Sequence, residues 1–103
     1  MTAGIEELGI MEVVPGDIVY SKAGRDKDNY FVVMSAEDNY VYVCDGRKRK
    51  TDRQKRKKIK HLILGIGHSP FLANKLNLGE KVTNAELRRE LFEYREGSKD
   101  GKG

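Results

Sequence analysis

Between residues 47 and 60, ten of the fourteen side chains are Lys or Arg and only Asp52 is acidic, a local charge of +9. The cations are Arg47, Lys48, Arg49, Lys50, Arg53, Lys55, Arg56, Lys57, Lys58 and Lys60. The chemistry open to such a run is electrostatic. Cations this dense repel one another, and a phosphate backbone relieves the repulsion while releasing its own condensed counterions. The rest of the chain does not share the bias. Residues 1–46 carry three basic and nine acidic side chains, for −6, and residues 61–103 carry seven and six, for +1. The formal net charge of +4 therefore hides a sharply polarised molecule. By itself the run also reads as a solvated or disordered charge stretch, or as a localisation signal.

No other residues assemble a reactive set. Two His and one Cys are too few and too scattered for a zinc site, with no C-x-x-C and no H-x-x-x-H, so no metal is expected. His68-Ser69 has neither a nucleophile elbow nor an orienting acid at a characteristic spacing. Gly65-Ile66-Gly67 lacks the Lys-Ser/Thr of a P-loop and the third glycine of a dinucleotide fingerprint. Asp26 and Asp28 flank Lys27 and read as local charge balance. We therefore expect a protein that is not an enzyme, with no cofactor and no small-molecule substrate. Cys44 has no partner for an intramolecular disulfide, which suits a reducing compartment. Met1 to Met11 shows no basic region followed by an apolar run, and no apolar stretch approaches the ~20 residues of a bilayer span. The expectation is a cytoplasmic protein that does not engage membranes.

The elements that must position the cations are short. With 103 residues, 38% hydrophobic, 35% charged and no Trp, one small domain with a modest core is expected. Residues 1–12 read as a flexible lead-in, because Gly4 and Gly9 weaken the helical spacing of Ile5, Leu8 and Met11. Pro15-Gly16 marks the start of the packed region. Asp17-Ile18-Val19-Tyr20-Ser21-Lys22 reads as a strand, and the polar loop after it contains Gly24, which is free to take positive φ. Tyr30-Phe31-Val32-Val33-Met34 is a second strand and Glu37-Asp38-Asn39 a turn. Tyr40-Val41-Tyr42-Val43-Cys44 alternates Tyr/Tyr/Cys against Val/Val, so one face is expected in the core and the other partly exposed. Asp45-Gly46 is a hairpin signal leading into the basic run, and Ile59 to Leu64 reads as a closing strand.

Short strands at close spacing predict a small barrel or sandwich over 13–64. Part of the basic run is expected to pair as a charged edge strand. A structureless loop as long as the whole run is uncommon unless it binds something. Gly65, Gly67, Pro70 and Gly79 predict an irregular linker over 65–82. Thr83-Asn84-Ala85-Glu86 is a capping box that opens a helix over 83–96. Leu87, Leu91 and Tyr94, at i, i+4 and i+7, form the stripe that docks it. Residues 97–103 contain no apolar side chain and predict a disordered tail.

The stretch Gly16-Asp17-Ile18-Val19-Tyr20-Ser21-Lys22-Ala23-Gly24-Arg25-Asp26-Lys27 resembles a KOW motif. So do Tyr30 to Val33 after it, Asp45-Gly46 before a basic segment, and Lys55-Arg56-Lys57-Lys58-Ile59-Lys60-His61-Leu62. Together they cover about half the chain. Asp28 stands where the motif usually has glycine, and Gln54 where relatives often have proline. The chain is thus similar to KOW-domain RNA-binding proteins, among them a KOW-bearing ribosomal protein of the archaeal and eukaryotic large subunit. The resemblance implies a mainly β fold, a small SH3-like β-barrel with a C-terminal α-helix. It also implies RNA binding, with ribosomal RNA as the partner, and association with the large subunit and translation. Lys22, Arg25 and Lys27 would join the ten cations of the run and His61 in one RNA-binding surface. Tyr20 or Tyr30 would be available to stack on a base, although a core role is the commoner one for Tyr in a chain without Trp. A-form RNA offers phosphates and 2′-hydroxyls more readily than base edges, so shape rather than sequence would be read. Two other readings stay open: a protein-interaction KOW module of a transcription or translation complex, with an apolar exposed face, and a non-specific DNA-binding protein.

Overall fold

The structure is a computed structural model that describes residues 13–97. The lead-in expected over 1–12 and the tail beyond Gly97 lie outside the described residues. Five antiparallel strands form one sheet: β1 (Asp17–Ser21), β2 (Tyr30–Glu37), β3 (Tyr40–Cys44), β4 (Lys55–Lys58) and β5 (Leu62–His68). The order across the sheet is β4-β3-β2-β1-β5, a meander whose last strand returns to the first. β2 and β3 are joined by Asp38 and Asn39, with Asp38 in the left-handed region at φ 50° that short Asx side chains tolerate.

The connection from β4 to β5 forces the sheet to curl. Laid flat, strands at the two edges of this order would stand roughly 19 Å apart, four spacings of ~4.8 Å. Only Ile59–His61 separates them in sequence, a single 3₁₀ turn with a rise of ~2 Å per residue. The edges must therefore converge. The turn ties both of them, since the Ile59 amide donates to the Asn39 carbonyl (2.9 Å) and the Lys22 amide to the His61 carbonyl (3.1 Å). His61 thus belongs to this turn rather than to the closing strand, which starts at Leu62. β4 and β5 stay at opposite edges of the hydrogen-bonded order, so the sheet is not closed.

Alternation along the strands gives the sheet two apolar faces. Val19, Phe31, Val33, Val41, Val43 and Leu62 pack together on the face that curls against itself. Ile18, Val32, Met34 and Cys44 face the other way and are covered by Leu72, Val82, Leu87 and Leu91.

That cover comes partly from a segment expected to be irregular. Residues 65–82 carry the end of β5 and helix α1 (Pro70–Asn77). Ser69 caps α1, its Oγ accepting from the Leu72 amide (3.1 Å), and Pro70 occupies the first turn, where a missing N–H costs nothing. Gly67 lies within β5 because a Cβ there would collide with the Tyr94 hydroxyl. α2 (Asn84–Glu96) begins at the capping box, with Glu86 N donating to Thr83 Oγ1 (3.1 Å) and Thr83 N to Glu86 Oε1 (2.9 Å). Leu87 and Leu91 are fully buried, and Tyr94 packs against the same cluster. Lys75 of α1 reaches the Glu86 carboxylate at 2.8 Å; with the Thr83 amide it holds that carboxyl below its ordinary range. Thr83→Ala is expected to lower stability by about 1 kcal/mol, read as a lower urea midpoint at unchanged m-value. Among the described residues no helix is long and apolar enough to cross a membrane.

Candidate nucleic-acid interface

Asp26, in the loop between β1 and β2, draws the two basic segments together. Lys57 Nζ lies 3.7 Å from Asp26 Oδ2, and Arg49 Nε lies 4.0 Å from Asp26 Oδ1. Lys57 Nζ also donates to the Ala23 carbonyl at 3.4 Å. The Gly24 loop, carrying Arg25 and Lys27, is thereby held against the β3–β4 connection and β4. Asp28 takes φ 70°, the left-handed conformation that glycine adopts most readily.

The β3–β4 connection is built on Asp45. Its buried carboxylate accepts from the amides of Arg47 (2.8 Å) and Arg49 (2.9 Å) and from Asn29 Nδ2 (2.8 Å). Burial opposes its ionisation, but Asn29, the Arg49 and Arg47 amides and the charge of Arg95 outweigh it, so the carboxyl sits below its ordinary value. Asp45-Gly46 is therefore not a two-residue hairpin; it opens a connection that runs to Gln54 before β4. Gly46 has φ 80°, and a Cβ on it would meet the Asn84 carbonyl and Leu87 of α2. Arg88 Nη1 donates to the Gly46 carbonyl (2.8 Å), and the Thr51 amide donates to Asn84 Oδ1 (2.9 Å). The basic loop is thus pinned to α2.

Of the expected site residues, Lys22, Arg25, Lys27, Arg47, Lys48, Lys50, Arg53, Arg56, Lys58 and Lys60 are exposed, and Arg49, Lys55 and His61 are half-buried. Lys57 is the exception. Its side chain is 7% exposed and its partner Asp26 9%, so it is a buried ion pair rather than a free surface cation. Strand register gives the reason. Lys57 stands opposite Val41 and Lys55 opposite Val43, on the inward face, whereas Arg56 opposes Tyr42 and Lys58 opposes Tyr40 on the outward face.

The aromatic partners also differ from expectation. Tyr20 and Tyr30 pack against each other as tilted rings, with centroids 4.9 Å apart and planes at 58°, and Tyr30 meets Tyr94 at 5.8 Å and 44°. The Tyr20 hydroxyl donates to Asp28 Oδ1 (2.7 Å), a bond that raises its pKa. Tyr40 and Tyr42 are instead the rings beside the exposed cations, and the Arg56 guanidinium lies 4.4 Å from the Tyr40 ring centre. The Tyr40, Tyr42 alternation was visible in the sequence; its register with Arg56 and Lys58 was not.

The remaining chemistry-bearing residues have structural partners. Ser69 Oγ donates to Glu90 (2.7 Å), while His68 Nδ1 lies 2.7 Å from Asp17 Oδ1. Among the described residues no three His, Cys, Asp or Glu side chains cluster as metal ligands would. Cys44 is buried, and its Sγ donates to the Lys50 carbonyl at 3.4 Å. Burial, with the charges of Asp45 and Asp52, pushes its thiol from 9.0 up to about 12. The stability tied to that proton is complete below the unfolded thiol's 9.0 and is lost as pH rises through about 12. An aromatic disulfide reagent at about pH 8 should consume the thiol no faster than the protein opens; rapid labelling of the native protein would contradict this burial.

Comparison with known proteins finds no matching family model and no matching curated sequence.

Proposed function

We propose that this chain is a KOW-type RNA-binding protein without enzymatic activity, built on an SH3-like barrel and working in the cytoplasm with ribosomal RNA and the large subunit. The observation that carries the reading is Asp26 holding the Gly24 loop beside the basic run, so that cations from both segments share one region. The curled meander whose fifth strand returns to the first suits an SH3-like barrel. Lys48, Lys50, Arg53, Lys58 and Lys60 would neutralise phosphates, joined by Lys22, Arg25 and Lys27. Tyr40, Tyr42 and Arg56 would supply stacking surface to an unpaired base.

The test is affinity for structured ribosomal RNA and for duplex DNA over a salt series. Preference for RNA with a steep salt slope supports the reading. Equal competition by duplex DNA reduces it to general polyanion binding, and a flat, weak response to both removes it. A protein-interaction module is the second reading, favoured by Phe71, Leu78 and Phe92, which stand 43%, 63% and 56% exposed on or beside the helices. It predicts salt-insensitive capture of a protein partner that a charged residue at Phe92 abolishes.

A further inference from the structure

Beside the first residue of the basic run lies an open groove lined by Arg47, Arg88, Arg89 and Arg95, together with Glu90 and Glu93. Three of its four cations come from α2, and Arg47 comes from the β3–β4 loop. The fold holds these like charges together. The Asp45 carboxylate fixes the Arg47 amide, and Arg88 is clamped on the Gly46 carbonyl. Glu90 is already engaged, accepting from the Ser69 hydroxyl at 2.7 Å and lying 3.9 Å from Arg89 Nε.

Arg95 is different. Its Nε and Nη1 are buried and have no hydrogen-bond partner among the described residues. Burial and the charge of Arg47 lower its pKa, with a smaller push from Arg88, while Asp45 and Glu96 oppose. A buried charged donor without an acceptor is costly and calls for an anionic one. Four guanidiniums against two carboxylates also leave the groove with two positive charges in excess.

We propose that this groove is a binding seat for a phosphate group, in which the Arg95 guanidinium donates to phosphate oxygens and Arg47 supplies the second charge. A guanidinium presents parallel donors that match phosphate oxygens. A phosphomonoester, at about −1.5 to −2 near neutral pH, balances the excess better than the single charge of a phosphodiester. The seat therefore takes a terminal or free phosphate. It goes beyond the RNA reading and does not depend on it.

The probe is inorganic phosphate, titrated into the protein at constant ionic strength while the arginine Nε–Hε resonances are followed. Saturable shifts centred on Arg95 are expected, with chloride producing none. Arg95→Lys should weaken the binding by about tenfold or more, since one compact charge replaces a two-bond fork. Arg47→Ala, on an exposed loop position, should weaken it independently of any effect on folding. Shifts that fail to saturate, or that survive both substitutions, overturn the proposal. Alanine at Lys48, Lys50, Arg56 and Lys58 should leave phosphate binding in place, so loss of RNA binding and loss of the seat remain separable. A 5′-phosphorylated oligonucleotide that outcompetes its 5′-hydroxyl twin assigns the seat to nucleic-acid ends. Equal competition by the two, with phosphate binding retained, assigns it to free phosphate.

Discussion

Alanine at Lys48, Lys50, Arg56 and Lys58 is expected to weaken binding to structured RNA by roughly a hundred- to a thousandfold near ~0.1 M salt. Each phosphate that goes unneutralised should also flatten the log–log salt dependence by about 0.7–0.9, so four of them remove about three units of slope. All four side chains are exposed and lie outside the core, and none pairs with an acid among the described residues. Arg56 additionally lies over Tyr40, an interaction of about 0.5–1 kcal/mol at an exposed site. The thermal midpoint should therefore move little while affinity collapses. A variant that melts normally and keeps the parental salt slope would show that the outward face of β4 does not meet the RNA.

The neighbouring lysine should do the opposite. Lys57→Met is expected to cost about 3 kcal/mol of stability, because it leaves the nearly buried Asp26 carboxylate without its closest cation. Arg49, at 4.0 Å and only half-buried, is a partial substitute. Pairing Lys57→Met with Asp26→Asn should recover much of the loss, since it removes both charges of the pair. Urea denaturation of the parent, the two single variants and the double variant measures the coupling directly. The salt slope of RNA binding by Lys57→Met, taken well below its unfolding transition, should match the parent. A stable Lys57→Met variant with a flattened slope would place Lys57 among the RNA contacts instead. Adjacent residues in one lysine-rich strand thus have opposite expected phenotypes.

Much of the fold was legible because its signals were local. The β-branched and aromatic runs at Asp17, Tyr30 and Tyr40 marked three strands, and Thr83 with Glu86 marked the start of α2. Val41 and Val43 went inward as their alternation with Tyr40 and Tyr42 indicated. Cys44, on the tyrosine face, is buried as well because α2 covers that end of the strand. Helix α1 was obscured by the glycines before it and Gly79 after it, although Ser69-Pro70 is itself a capping signal. One of them, Gly67, serves β5 where the chain passes beneath Tyr94, a residue distant in sequence. The candidate site was legible as a charge density and no further. Which lysines turn inward depends on β4 pairing with β3 in a register that a run of identical charges does not encode. The partnership of Asp26 with Lys57 and Arg49 likewise appears only once the strands are assembled.

The return of β5 to β1 has a kinetic consequence. β1 pairs with β2 across a short loop, but its other edge waits for Leu62–His68, with Asp17 meeting His68 and Ser21 meeting Leu62. Pairings so far apart along the chain slow the search for the native topology, even though the entropy of closing the loop grows only logarithmically with its length. The β1–β4 meander is thus expected to form first, with docking of β5 as the late step. Nascent chains ending at residue 61 would hold the whole basic segment while one edge of β1 still lacks its partner.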